Sequence, residues 1–197
     1  NEELTLDNLK ACRAIIDPLI KEFGGRIFYT AGDSVIADFS SPVECVNAAI
    51  KFQKAISDRN QTLGDSMKLV WRVGIHLDDV IIEGDNIYGN GVNIAARLEA
   101  QCAPGQILLS KVVQEQVNQR VDFTIEAAGT KALKNISNSY EVYAIAASGG
   151  SVVKSNGSED QSGKDKDYKP KIAVLPFSNA SNDEDGGFLV DGIVEDV

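Results

Sequence analysis

Through its first 145 residues the chain alternates between two hydrophobic periods, and that alternation excludes most architectures. Residues 6–23 place Leu9, Cys12, Ile16, Leu19 and Phe23 at steps of three and four, the spacing of one buried helix face, and Gly24-Gly25 closes the pattern. Pro18 inside it predicts a kink. Residues 26–39 switch to period two, giving two short strands around Ala31-Gly32-Asp33-Ser34 and so a hairpin with Asp33 at its tip. Ser41-Pro42-Val43-Glu44 forms a capping box with proline at the first helical position, and Val43, Val46, Ile50 and Ile56 stripe the helix that follows. In residues 67–76, Leu69, Trp71, Val73 and Ile75 alternate with Val70, Arg72, Gly74 and His76, as in a half-buried strand, and another strand follows at 79–83. A helix at 90–100, a strand at 106–109, a helix from Ser110 and strands at 123–127 and 140–145 complete the series. The order predicts an α/β (α+β) fold with a central mixed or largely antiparallel sheet flanked by helices.

Composition changes abruptly after Ala146. Residues 147–169 are rich in Gly, Ser, Lys and Asp and read as a flexible linker. KIAVLPF at 171–177 reads as a buried strand, and residues 187–197 as a helix start. One strand and one helical turn cannot enclose a core. The expected organisation is therefore a domain over 1–146, a linker over 147–169 and the truncated start of a second domain over 170–197. The chain opens at Asn1 without a methionine, as a fragment would.

The 19 basic and 29 acidic residues give a net charge of −10, with no basic block, which argues against a duplex nucleic-acid surface. An acidic chain that handles phosphates needs a metal ion or a few placed cations. Three scattered cysteines, no CxxC and a single histidine, His76, predict a reducing cytoplasmic setting with no structural zinc. No apolar run approaches the ~18 residues of a membrane span.

The segment DNIYGNGVNIAARLE at 85–99 sets a glycine-flanked turn before a helix on which Asn93 and Arg97 are four residues apart. Residues at that spacing share a helix face, so a carboxamide and a fixed positive charge project together close to a helix N-terminus, which favours anions. The arrangement suits a phosphorylated ligand.

Several segments in register resemble the catalytic domain of the class III nucleotide cyclases, the adenylate and guanylate cyclase family. They are GGRIFYTAGDSVIADF, MKLVWRVGIHLDDVIIEGDNIYGNGVNIAARLEA, PGQILLS and the later LKNI with YEVYAI, which together run from residue 4 to 145. The resemblance implies a ferredoxin-like cyclase fold that works as a head-to-tail homodimer with nucleotide bound at the subunit interface. The implied reaction converts ATP to cyclic AMP and pyrophosphate by in-line attack of the ribose 3′-hydroxyl, with two Mg2+ or Mn2+ ions. On this basis Asp33 matches a metal carboxylate, Asn93 the ribose-orienting residue, Arg97 the residue that stabilises phosphate charge in the transition state, and Lys134 a phosphate-contacting lysine. His76, in the family's GIH strand, is expected to be structural. KIAVLPF and the DGI-E-D pattern after it resemble the opening of a TolB-like domain.

The chain also departs from the family pattern. The family's first metal aspartate lies on a strand before the first helix, which would fall ahead of Asn1. The adenine-selecting lysine falls at Tyr29, and its Asp or Thr partner at Asn86. Both residues can donate and accept hydrogen bonds, so base recognition is altered and the choice between ATP and GTP stays open. Asp78 stands where the family commonly has glycine. An alternative reading follows from these departures: a catalytically degenerate cyclase domain kept as a nucleotide-binding or dimerisation module in signalling.

Overall fold

The structure is a computed structural model that describes residues 2–28, 33–134, 136, 138–145, 171–175 and 177–179. Tyr29, the expected linker and the expected helix start from Gly187 lie outside the described residues. Helix α1 spans Glu2–Glu22 without interruption at Pro18. Pro18 leaves the carbonyl of Ala14 without its helical donor, and both residues are exposed, so that carbonyl is open to water. The inward face is Cys12, Ile16 and Ile20, all fully buried.

Strand β1 (Gly25–Ile27) pairs antiparallel with β2 (Val35–Phe39), and the ladder runs on through Phe28 N–H to Ile36 O at 2.9 Å, which makes the expected hairpin. Helix α2 (Pro42–Asn60) starts as its sequence predicts, with Ser41 Oγ accepting from Glu44 N–H at 3.4 Å and proline in the first turn. The single strand expected at 69–76 is divided at Arg72 into β3 (Leu69–Trp71) and β4 (Val73–Ile75). Next come β5 (Ile81–Glu83) and β6 (Asn86–Tyr88), a second hairpin, then helix α3 (Asn90–Ala100). Strand β7 (Ile107–Ser110), helix α4 (Lys111–Val117) and the hairpin of β8 (Ile125–Ala132) with β9 (Ser139–Ile145) follow.

Strands β10 (Lys171–Leu175) and β11 (Phe177–Asn179) join the same structure. The main sheet has the order β1-β2-β10-β4-β7-β9-β8, with β10 antiparallel to both β2 and β4, and β11 beside β3. Among the described residues only β4 and β7 run parallel, so the sheet is mixed as expected. Helices α1, α2 and α4 share one core with the sheet, centred on Trp71 and Phe52 in an edge-to-face contact at 6.4 Å. Helix α3 covers the opposite face through Ile94, Ala95 and Leu98.

The sequence reading of β4 as half-buried needs correction. Gly74 and His76 are buried along with Val73 and Ile75: α3 lies directly on Gly74, and His76 packs against Ser110 and Tyr140. A Cβ on Gly74 would stand 2.2 Å from Ala95 O and 2.5 Å from Glu99 N. Only glycine admits a helix backbone that close to a strand.

Candidate active site on helix α3 and two hairpins

Asn93 is exposed and Arg97 half-buried on the outer side of α3, while Ile94, Ala95 and Leu98 hold its inner side. The helix N-terminus follows Gly89, whose φ of 140° belongs to the glycine-favoured region, and no side chain caps it. Asp78 packs over Gly91 in the first turn, where a Cβ would meet Asp78 Cβ at 2.5 Å. A carboxylate there interacts well with the helix dipole. The Asp78 departure thus becomes a packing partner of α3.

Asp33 lies two residues before β2 and is half-buried. Burial pushes its pKa upward, and hydrogen bonding at its own backbone and the Arg72 guanidinium pull it down. A desolvated carboxylate at a hairpin tip suits a divalent cation, since Mg2+ is commonly held by one or two carboxylates together with substrate phosphates. Among the described residues no group of three or more His, Cys, Asp or Glu is assembled to hold a metal by protein alone. Asp33 therefore fits a cation shared with a phosphate ligand.

Asn86 is exposed at the start of β6, opposite Glu83. Its neighbour Ile87 packs in one small cluster with Phe28, the residue before Tyr29, and with Ala95 of α3. Above this cluster Arg26 donates to Gly84 O at 2.9 Å, its guanidinium 4.6 Å from the Phe28 ring centre. The two hairpins and α3 thus share one buried anchor. Lys134 is exposed just after β8, next to the buried Leu133.

His76 is buried with Nδ1 2.8 Å from Ser110 Oγ, its ring edge-to-face with Tyr140 and Nε2 4.0 Å from Asp78 Oδ2. Burial lowers its pKa, and Asp78 opposes that shift. It joins the end of β4 to the start of α4, which is the structural role expected of it.

Sequence reasoning missed Arg72 and Glu99. Glu99 is buried in the last turn of α3, with Oε1 2.8 Å from Arg72 Nε. Burial pushes its pKa up to about 7, Arg72 lowers it and Asp33 raises it. A clue was present in LVWRVGI and AARLEA, where a charge interrupts an apolar run and so calls for a partner.

The fold is that of the class III nucleotide cyclases. An adenylyl cyclase, CyaB from P. aeruginosa, superimposes with a TM-score of 0.59 at 22% identity, over 78% of this chain and 84% of its own. An adenylate/guanylate cyclase/hydrolase from Silicibacter pomeroyi superimposes with a TM-score of 0.71 at 33% identity, over 74% and 86%. Residues 3–147 match the adenylate and guanylate cyclase catalytic domain, and the chain belongs to that family of phosphorus–oxygen lyases. A Rhizobium meliloti (strain 1021) protein named "Putative adenylate cyclase 3" is 34% identical over 185 residues. That alignment covers 94% of this chain and 31% of the relative, so the chain spans about a third of that protein. Among the described residues no helix is long and apolar enough to cross a membrane.

Proposed function

We propose that the domain is an adenylate cyclase of intracellular signalling in the cytoplasm, active as a homodimer that binds ATP between subunits. One observation carries this reading: Asn93 and Arg97 stand together on the outer side of a helix whose inner side lies close against the sheet at Gly74. The 34% identity to a relative named for adenylate cyclase supports ATP over GTP. In the proposed reaction the ribose O3′ bonds to the α-phosphorus, the bond to the pyrophosphate oxygen breaks, and the O3′ proton passes to solvent. Asn93 orients the ribose, and Arg97 and Lys134 balance the charge that grows on the phosphates. Tyr29 and Asn86 meet the base. Asp33 would hold Mg2+ or Mn2+, which supplies charge neutralisation at the phosphates and the attacking oxygen.

We also propose that the catalytic domain ends near residue 146 and that 170–197 opens a second, TolB-like domain after the linker. An alignment over 185 of 197 residues necessarily includes 171–179, so the relative carries this segment after its cyclase region too. Strand β10 lies between β2 and β4 in the main sheet. KIAVL contains no carboxylate. Two-ion catalysis needs a second aspartate besides Asp33, which this strand does not supply.

The test is cyclic nucleotide formation by the full-length protein with ATP or GTP and Mn2+. Cyclic AMP formation, reduced ~10²–10³-fold by Arg97→Ala with dimerisation retained, is the expected result. Nucleotide binding without any product would replace this reading with the degenerate binding module. Unchanged activity in Arg97→Ala would overturn the role given to Arg97.

A further inference from the structure

We propose that Arg72 and Glu99 are positioning residues for the cyclase reaction, their buried ion pair fixing the setting of α3 on the sheet and thereby the places of Asn93 and Arg97. The inference rests on the reading of Asn93 and Arg97 as the nucleotide-handling pair. Glu99 is 3% exposed, and its carboxylate turns inward to a guanidinium at the one residue between β3 and β4.

Helical geometry makes Glu99 an effective anchor. Successive residues rotate by roughly 100° and rise ~1.5 Å. Arg97, two residues earlier, therefore points away from Glu99 and sits ~3 Å along the axis. Asn93, another four residues back, returns to within ~40° of Arg97. Holding Glu99 against the sheet thus directs both polar groups outward.

The other contacts of α3 leave its setting undetermined. Gly74 limits how closely α3 approaches β4, and Ile94, Ala95 and Leu98 supply non-directional apolar contact. Neither strongly resists a small slide or roll. Arg72 Nε and Glu99 Oε1 meet at 2.8 Å as an ion contact without hydrogen-bond alignment. Among the described residues neither atom has a hydrogen-bond partner, so a displacement would separate two buried charges that nothing else compensates. Stability alone would be as well served by two apolar side chains of similar volume. Arg72 also acts electrostatically on Asp33, so one guanidinium influences both the hairpin tip and the anchor of α3.

The experiment uses the full-length protein at about pH 8, above the pKa of about 7 to which burial raises Glu99, and the double variant Arg72→Met/Glu99→Leu, which keeps apolar volume and removes both charges. Its kcat is expected to fall on the order of 10²-fold, with KM changed less than about threefold and the melting temperature near wild type. Wild-type kcat in a folded double variant would overturn the proposal. Should that variant not fold, Glu99→Gln keeps the shape of the side chain and weakens the pair. Its kcat is expected to fall about tenfold or more at constant KM, and an unchanged kcat would overturn the proposal equally. Arg72→Lys, which retains a charge with a different reach, is expected to recover part of the lost kcat. Arg97→Ala run in parallel separates two failures. Full activity there removes the underlying reading, whereas lost activity there beside wild-type kcat in the pair variants removes this inference alone.

Discussion

Gly74 and Ala95 are in backbone contact across the sheet–helix interface, close enough that a Cβ on Gly74 would overlap Ala95 O at 2.2 Å. The obstruction is backbone, so a larger residue must push α3 outward. Gly74→Ala is expected to cost about 1–3 kcal/mol, or roughly 2–12 °C in melting temperature for a chain of this size. It should also depress activity disproportionately, since α3 carries Asn93 and Arg97. Gly64→Ala is the control, because nothing lies within 4 Å of a Cβ there and little change is expected. Thermal melts and turnover of the two variants, measured together, decide the point.

Below neutrality, His76 and Glu99 act on stability in opposite directions. His76 has a folded-state pKa below its ordinary 6.5, so the unfolded chain binds the proton first as pH falls. Its contribution therefore declines as pH drops below 6.5 toward the lowered value. Glu99 holds its proton up to about 7 in the folded state against an ordinary 4.5, so its contribution declines as pH rises from about 4.5 to about 7. Substituting His76→Gln isolates the first effect. The melting-temperature gap between wild type and this variant is expected to narrow as pH falls from 7 to 5, and a constant gap would contradict the lowered pKa.

The order of elements was legible because it depends on local signals. The capping box at Ser41, the periodicity of α1 and α2 and the turn before α3 all operate within a few residues, and α2 and α3 begin where those signals place them. Helix α1 starts earlier than its apolar stripe, at Glu2. The disagreements come from contacts distant in sequence. Leu69 to His76 shows a solvent-facing alternation, yet α3, some twenty residues later, covers Gly74, and Ser110 and Tyr140, later still, pack against His76. The β6 strand was missed because Asn86 and the flanking Gly84, Asp85 and Gly89 read as turn and mask the strand preference of Ile87 and Tyr88, and three residues become a strand only by pairing with β5. For the site, Asn93 and Arg97 were readable from helical spacing. Arg72 and Glu99 were not, because 27 residues separate them and only the folded sheet brings them within 2.8 Å.

Arg26 joins the two hairpins that carry Tyr29 and Asn86, through its bond to Gly84 O and its stacking on Phe28. An exposed hydrogen bond and a surface cation–π contact contribute only about 1–2 kcal/mol together, so Arg26→Ala should melt within a few degrees of wild type. If the hairpins carry the base-contacting positions, loosening their link weakens nucleotide binding before it affects chemistry. The expected result is a KM for nucleotide raised about three- to tenfold with kcat largely retained. Arg26→Lys should recover little, since an ammonium neither stacks flat on the ring nor reaches as a planar fork. Equal loss of kcat and kcat/KM in Arg26→Ala would place the effect on the transition state and contradict the assignment.

Tyr29 and Asn86 offer the most direct handle on which nucleotide the domain uses. A lysine–aspartate pair presents a donor and an acceptor to the ring nitrogen and amino group along one edge of adenine, whereas Tyr and Asn can each serve as donor or acceptor and discriminate less. The double variant Tyr29→Lys/Asn86→Asp is expected to raise the ratio of kcat/KM for ATP over GTP by about tenfold or more, because a mismatched base then leaves desolvated polar groups unpaired. Neither substitution touches Asn93 or Arg97, so kcat with ATP should stay within about threefold of wild type, as a change confined to base selection requires. Initial rates with both nucleotides across a concentration series give all four constants. An unchanged ratio in an active variant would mean that the base is read elsewhere on the surface between the hairpins and α3.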